Sequence, residues 1–141
     1  MPLHQLEKLQ RSLSDSNSML IVEGKRDKIA LSKIGALNLV DISGKSLEAV
    51  IKAISSKNPE SVSILTDYDE EGEQQLKILT KCLHSQGIKI DNILRKQVKS
   101  TFNIQRIEEI NSFAKLLDCG ISYDKILKTN KFLKRMKNKK L

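Results

Sequence analysis

Val62-Ser63-Ile64-Leu65-Thr66, followed at once by Asp67-Tyr68-Asp69-Glu70-Glu71-Gly72-Glu73, is a short apolar run closed by five carboxylates in seven residues. A run of that length predicts a strand buried on both faces, as in parallel sheets. The acids after it predict a helix start, because carboxylates in a first turn complement the helix dipole. That accounts for Glu70, Glu71 and, less directly, Glu73. It leaves Asp67 and Asp69, one residue apart at the strand end, without a cause. Like charges so close repel one another unless something cationic sits among them. Hard divalent cations with oxygen ligands suit such a place, and magnesium takes one or two carboxylates together with waters and phosphate oxygens.

Working outward from this stretch, Met19 to Val22 is a second wholly apolar run, closed by Glu23 and Gly24. In open α/β sheets, ligands gather outside the carboxyl ends of the strands. If these two strands are neighbours, Glu23, Asp67 and Asp69 meet in one crevice. Between them, Asp27 caps or opens a helix to Gly35, and Ala36 to Ile42 reads as a further strand. Leu47, Val50, Ile51 and Ile54 then fall on one helical stripe, broken by Asn58-Pro59. After the acidic run, a helix to about Ser85 turns Leu76, Leu79 and Leu83 inward, with Gly87 as its C-terminal cap. Ile88 to Val98 has room for one more strand. The alternation predicts an α/β fold with a mostly parallel four-stranded sheet flanked by helices.

The ends differ from this centre. Leu3, Leu6, Leu9 and Leu13 predict a short amphipathic helix over residues 1–17. The sheet-bearing domain spans 18–100, and residues 101–141 form a C-terminal helical extension. In that extension Ile107, Ile110, Ala114 and Leu117 share a face, Gly120 ends the helix, and a basic helix starts near Ser122. Of the +8 net charge, +7 lies from Asp124 onward, where eight basic residues meet one acid. A basic arm on a nearly neutral body fits a polyanion partner, with Lys128, Lys131, Lys134 and Arg135 as nucleic-acid contacts; a solvated tail that aids solubility fits it equally.

At 141 residues the chain suffices for one core-bearing domain, and its 39% of hydrophobic residues come in short periodic runs. No run approaches a membrane span or a signal peptide, which predicts a cytoplasmic protein. Cys82 and Cys119 have no metal-ligand spacing and read as buried reduced thiols. His4 and His84 have no second ligand near them in sequence.

The blocks LIVEGKRDKIAL (20–31) and SILTDYDEEGEQQL (63–76) resemble the two signatures of the Toprim domain. That domain is shared by type IA topoisomerases, bacterial primases, old-family nucleases and the nuclease that matures 5S ribosomal RNA. The first block is similar to the maturase version, and Asp67-x-Asp69-x-Glu71-Gly72-Glu73 to the topoisomerase and maturase motif. In size the chain resembles the small stand-alone Toprim proteins of archaea and some bacteria. The resemblance implies a Rossmann-like Toprim fold and a magnesium site, with manganese as a substitute. It implies Glu23 as general acid or base that also touches the metal, directly or through water, and Asp67 and Asp69 as metal ligands, with Glu73 in a lesser part. Lys25 is placed for a phosphate oxygen, or equally as a solvated lysine at a helix start. Glu70 stands where topoisomerases usually carry arginine, which argues against strand passage.

Ser43-Gly44-Lys45-Ser46 ends like a phosphate-binding loop, but Leu39 occupies the position of its first glycine, so it reads as a turn with a helix cap. Tyr68 and Tyr123 lack the large gate a topoisomerase tyrosine serves. Phe102, Phe113 and Phe132 read as core or interface residues. The leading expectation is a magnesium-dependent enzyme, most simply a nuclease acting on RNA or DNA, as in RNA processing. The alternative is a non-catalytic module that holds magnesium and nucleic acid within a larger assembly, docked through the C-terminal helices. Primase-like nucleotidyl transfer ranks below both, since no second catalytic domain is visible.

Overall fold

The computed structural model describes residues 2–128, with side chains from residue 4 onward. Helix α1 (Pro2–Leu13) leads into strand β1 (Ser18–Val22), followed by α2 (Lys25–Lys33), β2 (Leu39–Asp41), α3 (Leu47–Lys57), β3 (Ser61–Ile64), α4 (Glu70–Ser85) and α5 (Ile93–Phe102). A 3-10 turn (Ile107–Glu109) runs into α6 (Ile110–Asp118), and residues 123–128 are helical again.

The strands are parallel, in the order β2-β1-β3. β1 is therefore central, which is why its run is wholly apolar. Its side chains alternate across the pleat. Leu20 and Val22 pack with Leu9, Leu31, Val98 and Phe102, so α1, α2, α5 and α6 cover that face. Met19 and Ile21 pack with Val50, Ile54, Leu79 and Leu83 from α3 and α4 on the other. The result is an α/β/α sandwich, as the alternation of elements predicts.

The sheet has three strands, not four. Where a fourth was expected, Ile90 makes a single parallel bridge to Val62, with Val62 N–H donating to Lys89 O (2.9 Å) and Asp91 N–H to Val62 O (2.9 Å). The chain then turns, as Asp91 Oδ1 accepts from Ile93 N–H at 2.8 Å. Leu94, Val98 and Phe102 recur every four residues and are all buried, a helical stripe that outweighs the strand reading of this segment.

Smaller expectations also resolve. Ser46 caps α3 by accepting from Ala49 N–H (3.1 Å), so the Ser43–Ser46 turn is a helix cap. Phe102 and Phe113 pack edge to face in the core with centroids 4.9 Å apart, and Phe132 lies outside the described residues. Both cysteines are free, but Cys82 is only partly buried and the expectation of buried thiols fails outright for Cys119. That residue is the C-cap of α6, beyond the last turn that faces the core, and is exposed.

Candidate metal centre

β1 and β3 are hydrogen-bonded neighbours with Ile21 paired to Ile64, and Leu65 N–H extends the ladder to Ile21 O at 2.7 Å. Parallel pairing places both carboxyl ends at one edge. Glu23 and Asp67 therefore meet there although they are distant in sequence. A third carboxylate joins them from the first turn of α2. Gly24 begins that helix with an extended backbone, and its N–H donates to Asp27 Oδ2 at 3.2 Å, folding the aspartate back over the strand end. One carboxylate oxygen from each of Glu23, Asp27 and Asp67 lies within 4.8 Å of the other two.

The electrostatics of the cluster are unfavourable without a cation. Burial, then the charges of Asp67, Asp27 and Asp69, push the Glu23 carboxyl up to about 7. Burial and Asp67 push Asp27 up to about 6. Asp67 is also raised, by burial first, against the opposing pull of the Ile107 N–H. Glu23 Oε1 is buried and has no hydrogen-bond partner, and a buried acceptor left unmade costs free energy. An all-carboxylate donor set with an orphaned oxygen fits a hard cation such as magnesium, which oxygens of Glu23, Asp27 and Asp67 would surround.

The β3 side is braced. Buried Arg95, from α5, donates from Nη2 to Asp67 O (2.9 Å) and Glu73 Oε1 (2.9 Å), and from Nη1 to Thr66 O and to Thr66 Oγ1 (3.2 Å). Its guanidinium lies over the Tyr68 ring, 4.3 Å from the centroid, and Tyr68 Oη donates to Arg95 O at 2.6 Å. Tyr68 is a bracing residue, and burial holds its phenol far above the ordinary range, unlike an activated nucleophile. Thr66 Oγ1 donates to Gly72 O (2.8 Å). Gly72 itself passes so close to the strand end that a Cβ there would lie 2.0 Å from Asp67 O.

The C-terminal extension closes the site. Ile107 N–H donates to Asp67 Oδ1 at 2.8 Å, and Tyr68 N–H to Gln105 O at 2.7 Å. Arg106 and Glu108 line an open cleft of about 440 Å³ with Glu23, Asp27, Asp67, Lys25, Arg26 and Ser43.

Of the residues singled out from sequence, Glu23, Asp67 and Lys25 thus share one cleft. Asp69 caps α4, with Oδ1 accepting from Gly72 N–H at 2.8 Å, and its charge reaches Glu23. Glu73 is spent on Arg95. Lys128 is exposed, while Lys131, Lys134 and Arg135 lie outside the described residues. Asp27, Arg95 and Arg106 were not singled out for the site. The Glu23-x-x-x-Asp27 spacing, one helical turn across the strand end, was a usable signal; nothing local marks Arg95 or Arg106.

Sheet order, strand-end acids and flanking helices define a Rossmann-like α/β protein with a carboxylate centre. The model of the Toprim domain matches residues 17–94, and the chain belongs to the Toprim family. It is 31% identical over 109 residues to a UPF0292 protein of Thermococcus sibiricus, covering 75% of this chain and 85% of that one. A solved structure of a protein from Aquifex aeolicus superposes with a TM-score of 0.66 at 35% identity, covering 74% of this chain and 96% of that one. A DNA primase, DnaG of Thermoplasma acidophilum, is 24% identical over 94 residues, which is 62% of this chain and only 20% of the primase. Among the described residues no helix is long and apolar enough to cross a membrane.

Proposed function

We propose that the chain is a magnesium-dependent enzyme cleaving phosphodiester bonds in RNA or DNA, with manganese able to substitute. The observation that carries this reading is the convergence of Glu23, Asp27 and Asp67 oxygens within 4.8 Å at the carboxyl edge of the sheet. The orphaned, buried Glu23 Oε1 is the atom best suited to hold a proton of the attacking water.

Asp67 and Asp27 would hold the ion, and Asp69 adds negative charge beside it while capping α4. A bound divalent cation supplies Lewis-acid stabilisation of the phosphoryl oxygens. Glu23 takes a proton from water as the water oxygen bonds to phosphorus, the P–O bond to the sugar breaks, and that proton passes from Glu23, directly or through solvent, to the departing sugar oxygen. Lys25, Arg26 and Arg106 share the cleft and attract the phosphate into it.

The test uses the full chain with labelled single-stranded and hairpin RNA and DNA, with magnesium or with chelator. Glu23→Gln keeps the size of the side chain and removes its basicity. It should lower magnesium-dependent cleavage ~100-fold or more while binding persists. An unchanged rate defeats the enzyme reading. Binding by the wild-type chain with no turnover on any substrate would favour the non-catalytic module.

A further inference from the structure

Arg106 and Glu108 line one side of the carboxylate cleft, and a second cavity opens on α5, whose Lys99 bonds the neighbouring residues 104 and 105. It has a volume of about 450 Å³ and is lined by Lys96, Lys99, Ser100 and Asn103, with no carboxylate among these lining residues. Lys99 joins the two. Its Nζ lies 3.4 Å from Ile104 O and 3.3 Å from Gln105 Oε1, on the segment whose next residue, Arg106, faces the acidic cleft. Lys96 stands one turn back from Lys99 on the same helix, a spacing that puts two side chains on one face. Three cations thus follow one another outward from the carboxylates: Arg106, then Lys99, then Lys96.

Their placement has a physical use. Three clustered carboxylates repel a polyanion, so a chain of phosphates reaching the cleft needs compensating positive charge along its approach. Lys25 and Arg26 supply it at the α2 side of the cleft. The α5 surface supplies it on the other side and lies off the Toprim match, which ends at residue 94. Both lysines are exposed; Lys99 Nζ bonds Ile104 O and Gln105 Oε1 and lies 4.7 Å from the Tyr68 ring centroid, and among the described residues no acid pairs with it, although Glu109 Oε2 accepts from the Gln105 and Arg106 N–H groups on the same segment.

We propose that the phosphodiester backbone of one polynucleotide strand leaves the carboxylate cleft past Arg106 and runs over the Lys99–Lys96 face of α5. This rests on the reading of the cleft as a nucleic-acid site and names the surface that positions the substrate. The contacts are to phosphates, so they serve RNA and DNA strands alike and carry no sequence preference.

The experiment measures binding of the full chain to fluorescently labelled single-stranded RNA and DNA oligonucleotides in chelator, across a series of salt concentrations. Binding to single strands weakens with salt by ~0.7 in log-log slope per phosphate contact. The Lys96→Ala/Lys99→Ala pair should weaken binding several-fold and reduce the slope by ~1.4, and Arg106→Ala by a further ~0.7. A charge-matched control, Lys52→Ala/Lys81→Ala, removes exposed lysines from α3 and α4 on the opposite layer and should leave both readings near wild type. Equal effects of the two pairs, or no effect of the α5 pair, overturn the track. Because binding is read without metal and cleavage with it, the two readings fail separately. Lost turnover with track-dependent binding intact sinks only the enzyme, and cleavage indifferent to Lys96, Lys99 and Arg106 sinks only the track.

Discussion

The two strand ends that build the cleft are held in different ways. At the end of β3, Asp67 is gripped at its carbonyl by Arg95 and at its carboxylate by Ile107 N–H, while Asp69 is tied to Gly72. At the end of β1, Asp27 is anchored by Gly24 N–H and the Glu23 carboxylate is drawn to the Asp67 backbone N–H, but Glu23 Oε1 is buried with no partner. Groups that hold an ion gain from being preorganised, since the ordering is completed before binding. A group that moves a proton must be able to exchange partners. The fuller bracing of the β3 side and the one unpartnered oxygen on the β1 side match a division between holding and reacting.

The largest expected effect comes from breaking the braced side. Gly72→Ala drives a Cβ into Asp67 O and forces α4 off the strand end. It should cost about 3 kcal/mol of stability, measured by urea unfolding, and abolish magnesium-dependent stabilisation. A variant as stable as wild type would mean that the close approach does not matter.

The unbalanced charge gives the next effect. Carboxyls whose folded pKa lies above the unfolded value stabilise only while protonated. The contribution of Glu23 (4.5 to about 7) and Asp27 (3.8 to about 6) is therefore full below about pH 4 and lost as pH rises through about 6 and 7. Magnesium at a hundredfold excess over its Kd should restore about 2.7 kcal/mol near pH 8 and much less near pH 5, where protons compete for the same oxygens. Asp67→Asn should flatten this difference, because it weakens the metal site and removes a repelling charge. Thermal melts at both pH values, with and without metal, decide it; an equal magnesium effect at both pH values would contradict the assignment.

The smallest effect separates the two roles of Asp69. Asp69→Ala removes the α4 cap and should cost about 1 kcal/mol. Asp69→Asn keeps the cap and should cost little, yet lower metal affinity by removing charge. If Asn is as destabilising as Ala, capping is not what the side chain contributes to stability.

The buried strands were legible because unbroken apolar runs mark strands covered on both faces, and the Glu23–Asp67 meeting followed once β1 and β3 proved to be neighbours, since parallel strands end at a common edge. Asp27 was read only as a helix opener, since its proximity to Asp67 arises when α2 leaves β1 and folds back. The segment after Ile88 was misjudged because the single bridge at Ile90 and the helix from Ile93 share one apolar stretch. Arg95 was invisible for another reason. Two of its four acceptors are backbone carbonyls, and any residue presents a carbonyl.

From the order of its residues alone, this chain determined its alternating elements, its buried strands and the strand-end positions of Glu23 and Asp67, because local periodicity depends on near neighbours. Tertiary packing decided the rest. It chose which third acid completed the cluster, laid α5 and residues 104–108 against Asp67, and turned Arg106 into the cleft. Those choices depend on contacts between segments far apart in the chain, and such contacts leave no periodic trace in the sequence.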